Sequence, residues 1–361
     1  AAKAAARLLA GEAASSEVDI ALPEPFQGRE RIPFAIERAE TDADRTWAEA
    51  VVVKDAGDDP DVTDGAHLTV RLAWAEEPGV SFRAGDGVGT VTKPGLGLDV
   101  GGPAINAVPR TMIAASIGEE IDPQERGVIC TISVPGGEAM ARKTTNGRLG
   151  IVGGISILGT TGVVRPFSTA SWLASVEQAV DVLAAQDILP LILCTGGRTE
   201  RAARWLLPDL DEVSFVEVGD FTGAALRRAA ERGLPRAVFV GMAGKLAKLA
   251  AGVMMTHYTR SRVDPSVLGD VTRESGGDEA LVAAVRKANT ARHAYELWRE
   301  KGLERTAADA LCLRVSRNLT RFSDGAVSVA VVMVDFDSLE LIGSSMDWGR
   351  RTGSRGGDDL W

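Results

Sequence analysis

The sequence predicts a two-domain chain of mixed α and β structure: an α+β N-terminal domain, with a Rossmann-like α/β domain (βαβαβ) inserted into it or following it. Three observations lead to this prediction. The chain has 361 residues, which is more than one hydrophobic core usually holds. Residues 17–134 carry short β-rich runs separated by turns. After residue 163, helical segments alternate with short apolar runs.

The N-terminal half contains one early helix, several strands and a later helix. The segment AAKAAARLLA has little polar interruption and is followed by Gly11, which predicts a helix that ends there. A second helix is expected at 107–118, directly after the turn GGPAIN. The clearest strands are EVDIALP, WAEAVVVKDA, AHLTVRLAW and GVICTISVP. Together these elements predict an α+β domain at 1–150.

The next part of the chain predicts a βαβαβ unit at 151–270. Its strands are short, continuous and apolar, as is typical of parallel strands that are covered on both faces. In such a domain the ligand crevice lies beyond the carboxyl ends of the strands. The strands are expected at 188–195, 213–218 and 237–242, and the helices at 169–186, 199–206, 221–233 and 244–255.

The last part of the chain is predicted to contain helices and strands that return to the first domain, over 271–345. Two helices are expected within 277–302, and one or two strands within 326–343. The polar, Gly-rich tail at 346–361 is expected to be mobile.

Composition excludes several classes of function. A net charge of −10 argues against nonspecific nucleic-acid binding, which needs a broad cationic surface. No apolar run approaches the roughly 18 residues of a membrane span. The three cysteines and three histidines match no metal spacing, so no metal site is predicted and a reducing cytoplasm fits best. A homo-oligomer stays open.

Residues 143–162, KTTNGRLGIVGGISILGTTG, combine glycines, threonines and apolar residues in a way that suits neither a plain helix nor a plain strand. One interpretation is a structural linker. The other is a close-packed crossover whose polar groups face an anionic ligand, because guanidinium groups bind carboxylates well. The polar candidates in and around the stretch are Arg142, Lys143, Thr144, Thr145, Asn146, Arg148, Thr160, Thr161 and Arg165.

Glycines also follow two of the predicted parallel strands. CTGGR (194–198) precedes a helix, and its glycines let the backbone approach a ligand; the alternative is a tight strand-to-helix turn. GMAGKL (241–246) lacks the spacing and the Ser or Thr of a P-loop, and the G-x-G-x-x-G fingerprint is absent. The candidate ligand-binding residues here are Thr195, Gly196, Gly197, Asp220, Gly241, Gly244 and Lys245.

Two further segments carry candidates for proton transfer. The acidic run KDAGDDPDVTDG (54–65) is either a solvated turn or an active-site loop, with Asp58 and Asp59 as candidates. A calcium loop is excluded, because position twelve counted from Asp59 is Val70. His257 follows an apolar helix and is either a helix cap or a catalytic residue.

Several of these motifs resemble one protein family. KDAGDDPDVT, GVGTVTKPGL, PAINAVPR, SVPGGE, KTTNGRLGIVGGISILGTTGVVRP and GKLAKLAAGVMMTH occur in the same order as in the cobalt-precorrin-5B C-1 methyltransferases (CbiD). The resemblance runs from residue 1 to about 300. It implies an S-adenosylmethionine-dependent cytoplasmic enzyme of anaerobic cobalamin biosynthesis, which methylates C-1 of a cobalt corrinoid to give cobalt-precorrin-6A. Cobalt enters only as part of that substrate.

The resemblance implies roles for the candidates above. Asp58, Asp59 or His257 would manage a proton, and the glycines at the strand ends would lie beside the adenosyl group, with Asp220 on the ribose. The corrinoid carboxylates would bind a cationic patch of Lys93, Arg110, Arg142, Lys143, Arg148 and Arg165. Family members usually begin with a Gly-Tyr-Thr-Thr-Gly-Thr-Cys-like segment, whereas this sequence begins at the helix that follows it.

Two alternatives remain at this stage. One is a nucleotide-dependent corrinoid-modifying enzyme such as a reductase, although the dinucleotide fingerprint is missing. The other is a non-catalytic corrinoid-binding protein that does not use the cosubstrate.

Overall fold

Helices and several sheets occur throughout the described residues, which confirms the predicted mixture of α and β structure. The computed structural model describes residues 1–23, 31–159, 168–256 and 263–346. The chain divides into two units, Ala1–Ser168 and Thr169–Trp361. The boundary therefore lies beyond the expected position at residue 150, because β9 and the residues after it pair with strands and loops of the first unit.

The first unit contains mostly strands. Its elements are α1 (Ala2–Ala10), β1 (Glu17–Ala21), β2 (Arg31–Ala35), β3 (Arg38–Thr41), β4 (Trp47–Val53), β5 (His67–Trp74), β6 (Val80–Ala84), β7 (Thr90–Val91), α2 (Ala107–Gly118), β8 (Val128–Ser133), α3 (Gly137–Ala141) and β9 (Ile151–Val152).

The first unit has a five-stranded sheet of order β3-β4-β5-β8-β6, and buried residues of α1, β4, β5 and β8 form part of its core. Neighbouring strands are antiparallel except β6 and β8. Helix α1 packs against β4 and β5, since its small side chains allow a close approach to alanines of β4 such as Ala48 and Ala50. The helix ends at Gly11, whose φ of 106° is left-handed, as predicted for its C-cap.

The second unit alternates strands and helices and then adds a helical segment. Its elements are α4 (Thr169–Ala184), β10 (Leu191–Cys194), α5 (Gly197–Leu206), β11 (Phe215–Glu217), α6 (Thr222–Glu231), β12 (Arg236–Gly241), α7 (Ala243–Ala250), α8 (Pro265–Glu274), α9 (Glu279–Arg286), α10 (Ala291–Glu300), α11 (Glu304–Phe322), β13 (Ser328–Val334) and β14 (Leu341–Ser344).

A second five-stranded sheet forms the centre of this unit, in the order β11-β10-β12-β13-β14. The first four strands are parallel, and β14 is antiparallel to β13. All four residues of β10 are buried, as its continuous apolar sequence predicts. The carboxyl ends of β10, β11, β12 and β13 consequently lie at one edge of the sheet, which we call the carboxyl edge.

The segment 271–345 does not return to the first unit as expected. Val329–Val334 of β13 are buried and pair in parallel with β12, because a strand that is apolar on both faces needs cover on both faces. Helix α11 was not anticipated, and α7 ends at Ala250 instead of near residue 255. The helix predicted at 107–118 agrees with α2. Residues 347–361 of the tail lie outside the described residues.

Candidate functional sites

The loops that carry the sequence motifs of the first unit meet at one edge of its sheet. The loop 54–66 joins the end of β4 to the start of β5. Thr69 at the start of β5 is opposite Ser133 at the end of β8, and Ala84 at the end of β6 is opposite Ile132. The acidic loop, the GVG turn after β6 and the PGG turn after β8 therefore share this edge, which we call the motif edge.

Glycines let the segment 151–157 pack directly onto these turns. Ile155 N donates to Gly87 O at 3.0 Å, and Gly89 N donates to Ile155 O at 2.8 Å. A Cβ atom at Gly154 would overlap the carbonyl group of Gly87, and one at Gly87 would overlap the carbonyl group of Val134. Backbones approach this closely only without side chains, so the glycines of the central stretch serve a close-packed crossover.

Asn146 holds the turn that precedes this crossover. It is 6% exposed, and its side-chain amide donates to Gly154 O at 3.2 Å and accepts from Ser156 Oγ at 3.4 Å. The Thr144 hydroxyl accepts from Asn146 N at 3.2 Å. The Asn146 side chain therefore already has protein partners, whereas Thr144 and Thr145 are exposed.

The predicted cations of the first unit have different surroundings. Arg142 and Lys143 are exposed, and Arg142 contacts only Glu138, at 3.4 Å, among the described acidic residues. Arg148 is half-buried, and Lys93 lies over Gly150, where a Cβ atom would overlap its side chain. These four cations belong to the crossover and its neighbouring loop.

Arg110 has a structural environment that the sequence did not reveal. Its guanidinium donates to Ile105 O at 2.8 Å and to Pro103 O at 3.2 Å, and lies 5.5 Å from the ring centroid of Phe82. These contacts fasten the start of α2 to the turn before it. Its assignment to the cationic patch stays a prediction.

Some carboxylates of the acidic loop form hydrogen bonds or ion pairs within the loop, and others do not. Asp64 accepts from Ala56 N at 2.9 Å, and Asp61 accepts from Thr63 N at 2.8 Å and pairs with Lys54. Asp58 is exposed and Asp59 half-buried, and neither carboxylate hydrogen-bonds to another described residue. The two candidates for proton transfer are thus the ones that the loop does not use for its own structure. Thr160, Thr161, Arg165 and His257 lie outside the described residues.

In the second unit, the predicted cosubstrate residues meet at the carboxyl edge. Thr195 and Gly196 follow β10, and Gly197 begins α5. The Thr199 hydroxyl donates to Gly196 O at 2.8 Å and accepts from Gly196 N at 3.1 Å, so it fixes this turn. Gly241 ends β12, and Gly244 is exposed in the first turn of α7.

Lys245 connects the loops that follow β10 and β11. Its Nζ donates to Gly219 O at 2.6 Å and lies 3.2 Å from Asp220 Oδ1 and 3.4 Å from Thr195 O. Burial lowers the pKa of the Lys245 ammonium, although the attraction of Asp220 raises it. Asp220 also accepts from the Thr256 hydroxyl at 2.9 Å. The sequence predicted Asp220 and Lys245 separately, and the structure pairs them.

Sequence reasoning missed Glu217, the last residue of β11. A Cβ atom at Gly196 would lie 3.8 Å from Glu217 Oε1, so this carboxylate faces the glycine turn after β10. An acidic residue at the end of an otherwise apolar strand was the available signal, because such positions face ligands in related α/β folds.

A pocket beyond the ends of β12 and β13 was also missed. Its cavity volume is about 110 Å³, and Gly244, Tyr295, Arg299 and Phe336 are among the residues that line it. Phe336 lies between two guanidinium groups, with Arg198 at 4.5 Å and Arg292 at 4.9 Å from its ring centroid. Burial and the nearby Asp335 carboxylate raise the pKa of Tyr295. Assigning β13 to the wrong domain concealed this pocket.

The described residues contain neither a candidate membrane span nor a candidate metal centre. None of the helices in that part of the chain combines the length and the apolar character that a membrane span requires. No group of three or more His, Cys, Asp or Glu side chains there could hold a metal ion.

Comparisons with known proteins agree along nearly the whole chain. The family model described as CbiD matches residues 1–166, and the model of the CbiD C-terminal domain matches residues 255–345. A protein of Rubrobacter xylanophilus called cobalt-precorrin-5B C(1)-methyltransferase is 64% identical, over 93% of this chain and 86% of its own. Proteins with the same name from Salinispora arenicola and Leptospira borgpetersenii are 61% and 43% identical, over 97% and 99% of this chain and 90% and 95% of theirs.

One solved structure is also similar. It is described as the cobalamin biosynthesis protein (cbiD) of Archaeoglobus fulgidus, with 25% identity, 76% of this chain and 82% of that chain covered, and a TM-score of 0.34.

Proposed function

The chain belongs to the CbiD family, and from this membership we propose that it is a cobalt-precorrin-5B C(1)-methyltransferase that uses S-adenosylmethionine as methyl donor. The observation that carries the proposal is the 64% identity, over 93% of the chain, with a relative of that name. The product would be cobalt-precorrin-6A. Cobalt would enter with the corrinoid as part of the substrate.

The residues of the carboxyl edge suit an adenosyl cosubstrate. Asp220 and Glu217 offer carboxylates to ribose hydroxyls, Gly196 and Gly197 leave room for close approach at the start of α5, and the Lys245 ammonium suits a carboxylate. The Rossmann-like description of this sheet is part of the same proposal, since parallel strands with ligand loops at their carboxyl ends define that class.

A methyl sulfonium supplies its own leaving group, so the chemistry needs no nucleophile from the enzyme. The contribution of the protein is to hold the two reactants in line and to exclude water. We assign corrinoid binding to the cations of the first unit, because several peripheral carboxylates require several cations. We assign proton transfer to Asp58, Asp59 or His257.

To test this function, purified protein is incubated with cobalt-precorrin-5B and with S-adenosylmethionine that is labelled in its methyl group. We expect the label to move to the corrinoid, with S-adenosylhomocysteine formed in equal amount. Binding of the corrinoid without label transfer would favour the non-catalytic alternative. A requirement for a nicotinamide nucleotide would favour the reductase alternative.

A further inference from the structure

Trp172 is an exposed aromatic side chain at the carboxyl edge of the second sheet. It occupies the first turn of α4, and 47% of the residue is exposed. Helix α4 precedes β10, and the contact of Trp172 with the loop after β11 places the start of the helix at the carboxyl edge. Its exposure leaves part of the indole accessible to a ligand, and its position at the carboxyl edge separates it from other exposed apolar residues such as Trp205.

The indole lies against Gly219, in the loop that follows β11. A Cβ atom built on Gly219 would lie 3.1 Å from Trp172 Nε1, and the residue has a φ of +52°. The carbonyl of this same glycine accepts the hydrogen bond from Lys245, and the next residue is Asp220. The indole and the proposed ribose-binding carboxylate are therefore held by one short loop.

We propose that Trp172 is the stacking platform for the adenine ring of the cosubstrate. This inference rests on the proposed function and adds a subsite to it. An adenine needs an aromatic or apolar face within reach of the group that binds its ribose, and stacking on an aromatic side chain contributes substantially to nucleobase affinity. Trp172 is an exposed large side chain that contacts Gly219, the residue next to Asp220.

A second tryptophan provides a matched control. Trp205 is 70% exposed and lies in the same unit, on α5. Helix α5 begins at the carboxyl edge with Gly197, so Trp205 is roughly 12 Å further along the helix axis. The two residues therefore share chemistry and exposure but not distance from the proposed site.

The test is calorimetric titration of the full chain with S-adenosylhomocysteine, for the wild type and the variants Trp172→Leu, Trp172→Phe and Trp205→Leu. We expect Trp172→Leu to weaken binding roughly 10- to 100-fold, because the stacked face is lost. Trp172→Phe keeps an aromatic face and should lose less, and Trp205→Leu should bind as the wild type does. Thermal unfolding of each variant verifies that it is folded.

A fragment of the cosubstrate identifies the part that Trp172 contacts. 5′-Methylthioadenosine keeps the adenosyl group but lacks the amino-acid part. Trp172→Leu should weaken its binding by the same factor as that of S-adenosylhomocysteine. If Trp172→Leu lowers the affinity for S-adenosylhomocysteine but not for 5′-methylthioadenosine, Trp172 contacts the amino-acid part. The adenine assignment would then be wrong.

Tryptophan fluorescence gives a readout that does not depend on activity. Binding of either ligand should quench the wild type and Trp205→Leu, and the quenching should be lost in Trp172→Phe. If the wild type and Trp172→Leu bind S-adenosylhomocysteine equally well, Trp172 does not stack on the adenine ring. The proposed function is unaffected by that result. If the wild type, with and without the corrinoid, binds neither ligand, the cosubstrate proposal and the platform fail together.

Discussion

The ammonium of Lys245 lies 3.2 Å from the carboxylate of Asp220, and its hydrogen bond to Gly219 O fastens the start of α7 to the loop after β11. A helix start and a loop that are 26 residues apart in sequence are thereby held together at the carboxyl edge. Because the pair is half-buried, losing one member leaves the other charge with less compensation.

We therefore expect Lys245→Met to destabilise the protein by about 1–3 kcal/mol and to weaken S-adenosylhomocysteine binding. Lys287→Met is the control, because Lys287 lies in the same unit, is exposed and has no ion pair among the described residues. Denaturant unfolding and calorimetric titration measure the two effects. Equal affinity for the ligand in both variants would contradict a role of Lys245 in the site.

The crossover of the first unit depends on the absence of a side chain at Gly154. Gly154→Ala should lower the free energy of unfolding by about 1–3 kcal/mol, because the new methyl group would overlap the Gly87 carbonyl. Gly147→Ala should change the unfolding free energy by no more than about 0.5 kcal/mol, since no atom lies within 4 Å of its Cβ position. Urea unfolding of both variants tests the difference. Similar unfolding free energies for the two variants would show that the backbone of the crossover shifts to accommodate the methyl group.

The exposed guanidinium of Arg142 should bind a corrinoid carboxylate. Arg142→Gln should weaken corrinoid binding roughly tenfold at low salt, with little change in melting temperature, because among the described acidic residues Arg142 pairs with the exposed Glu138 alone. Arg110→Gln should instead lower the melting temperature, because it removes hydrogen bonds to Ile105 O and Pro103 O. Spectroscopic corrinoid titration and thermal unfolding separate the two roles. Unchanged corrinoid affinity in Arg142→Gln would remove this residue from the patch.

The acidic loop allows catalytic and structural carboxylates to be told apart. If a carboxylate of the loop accepts a proton, Asp58→Asn or Asp59→Asn should lower kcat roughly 100-fold while the protein stays as stable. Asp61→Asn should mainly destabilise the loop, because Asp61 pairs with Lys54 and accepts from Thr63 N. Turnover and unfolding are measured for all three variants. Full turnover in both Asp58→Asn and Asp59→Asn would leave His257 as the remaining candidate.

The stability of the second unit should depend on pH through Asp181. Burial raises the pKa of this carboxyl, but hydrogen bonds from Arg228, at 2.6 Å, and Arg232, at 2.8 Å, outweigh burial and lower it. Its stabilising contribution is therefore present above the ordinary carboxyl pKa of 3.8 and is lost as the pH falls through the lower folded value.

Asp181→Asn should accordingly lower the free energy of unfolding by about 1–3 kcal/mol at pH 7. This difference from the wild type should shrink below about pH 4. Asp209→Asn is the control, because Asp209 is exposed and has no ion pair among the described residues. Denaturant unfolding at a series of pH values provides the measurement. A difference that stays constant down to pH 2 would contradict the ion-pair explanation.

Local patterns predicted the elements that depend on local interactions. The preceding turn predicted α2 at its observed bounds, and continuous apolar runs predicted β10, β11 and β12 within a few residues. Helix α11, with 19 residues, was not predicted, although its buried apolar side chains lie on one face of the helix. The end of α7 was missed as well, although Gly252, with its left-handed φ of 82°, is the same kind of stop signal as Gly11 after α1.

The sequence indicated individual candidate residues but not the contacts between them. The sequence named Asp220 and Lys245 but could not show that they form a pair, because that contact depends on the order of β10, β11 and β12 in the sheet. It grouped Arg110 with the other cations, although the backbone carbonyls around Arg110 occupy its guanidinium. The roles of the candidates in binding and catalysis stay predictions.

By itself the sequence determined the family of this protein and the order of its motifs, because both are properties of a linear string of residues. It also determined most local elements, since helix and strand periodicity depend on near neighbours. Only the tertiary structure decided which segments meet. Strand pairing placed β13 beside β12 and brought Phe336 to the carboxyl edge, and helix packing placed Trp172 on Gly219. Such contacts join residues that are far apart in the chain, and the order of the strands in the sheet, which the separate local patterns do not give, decides them.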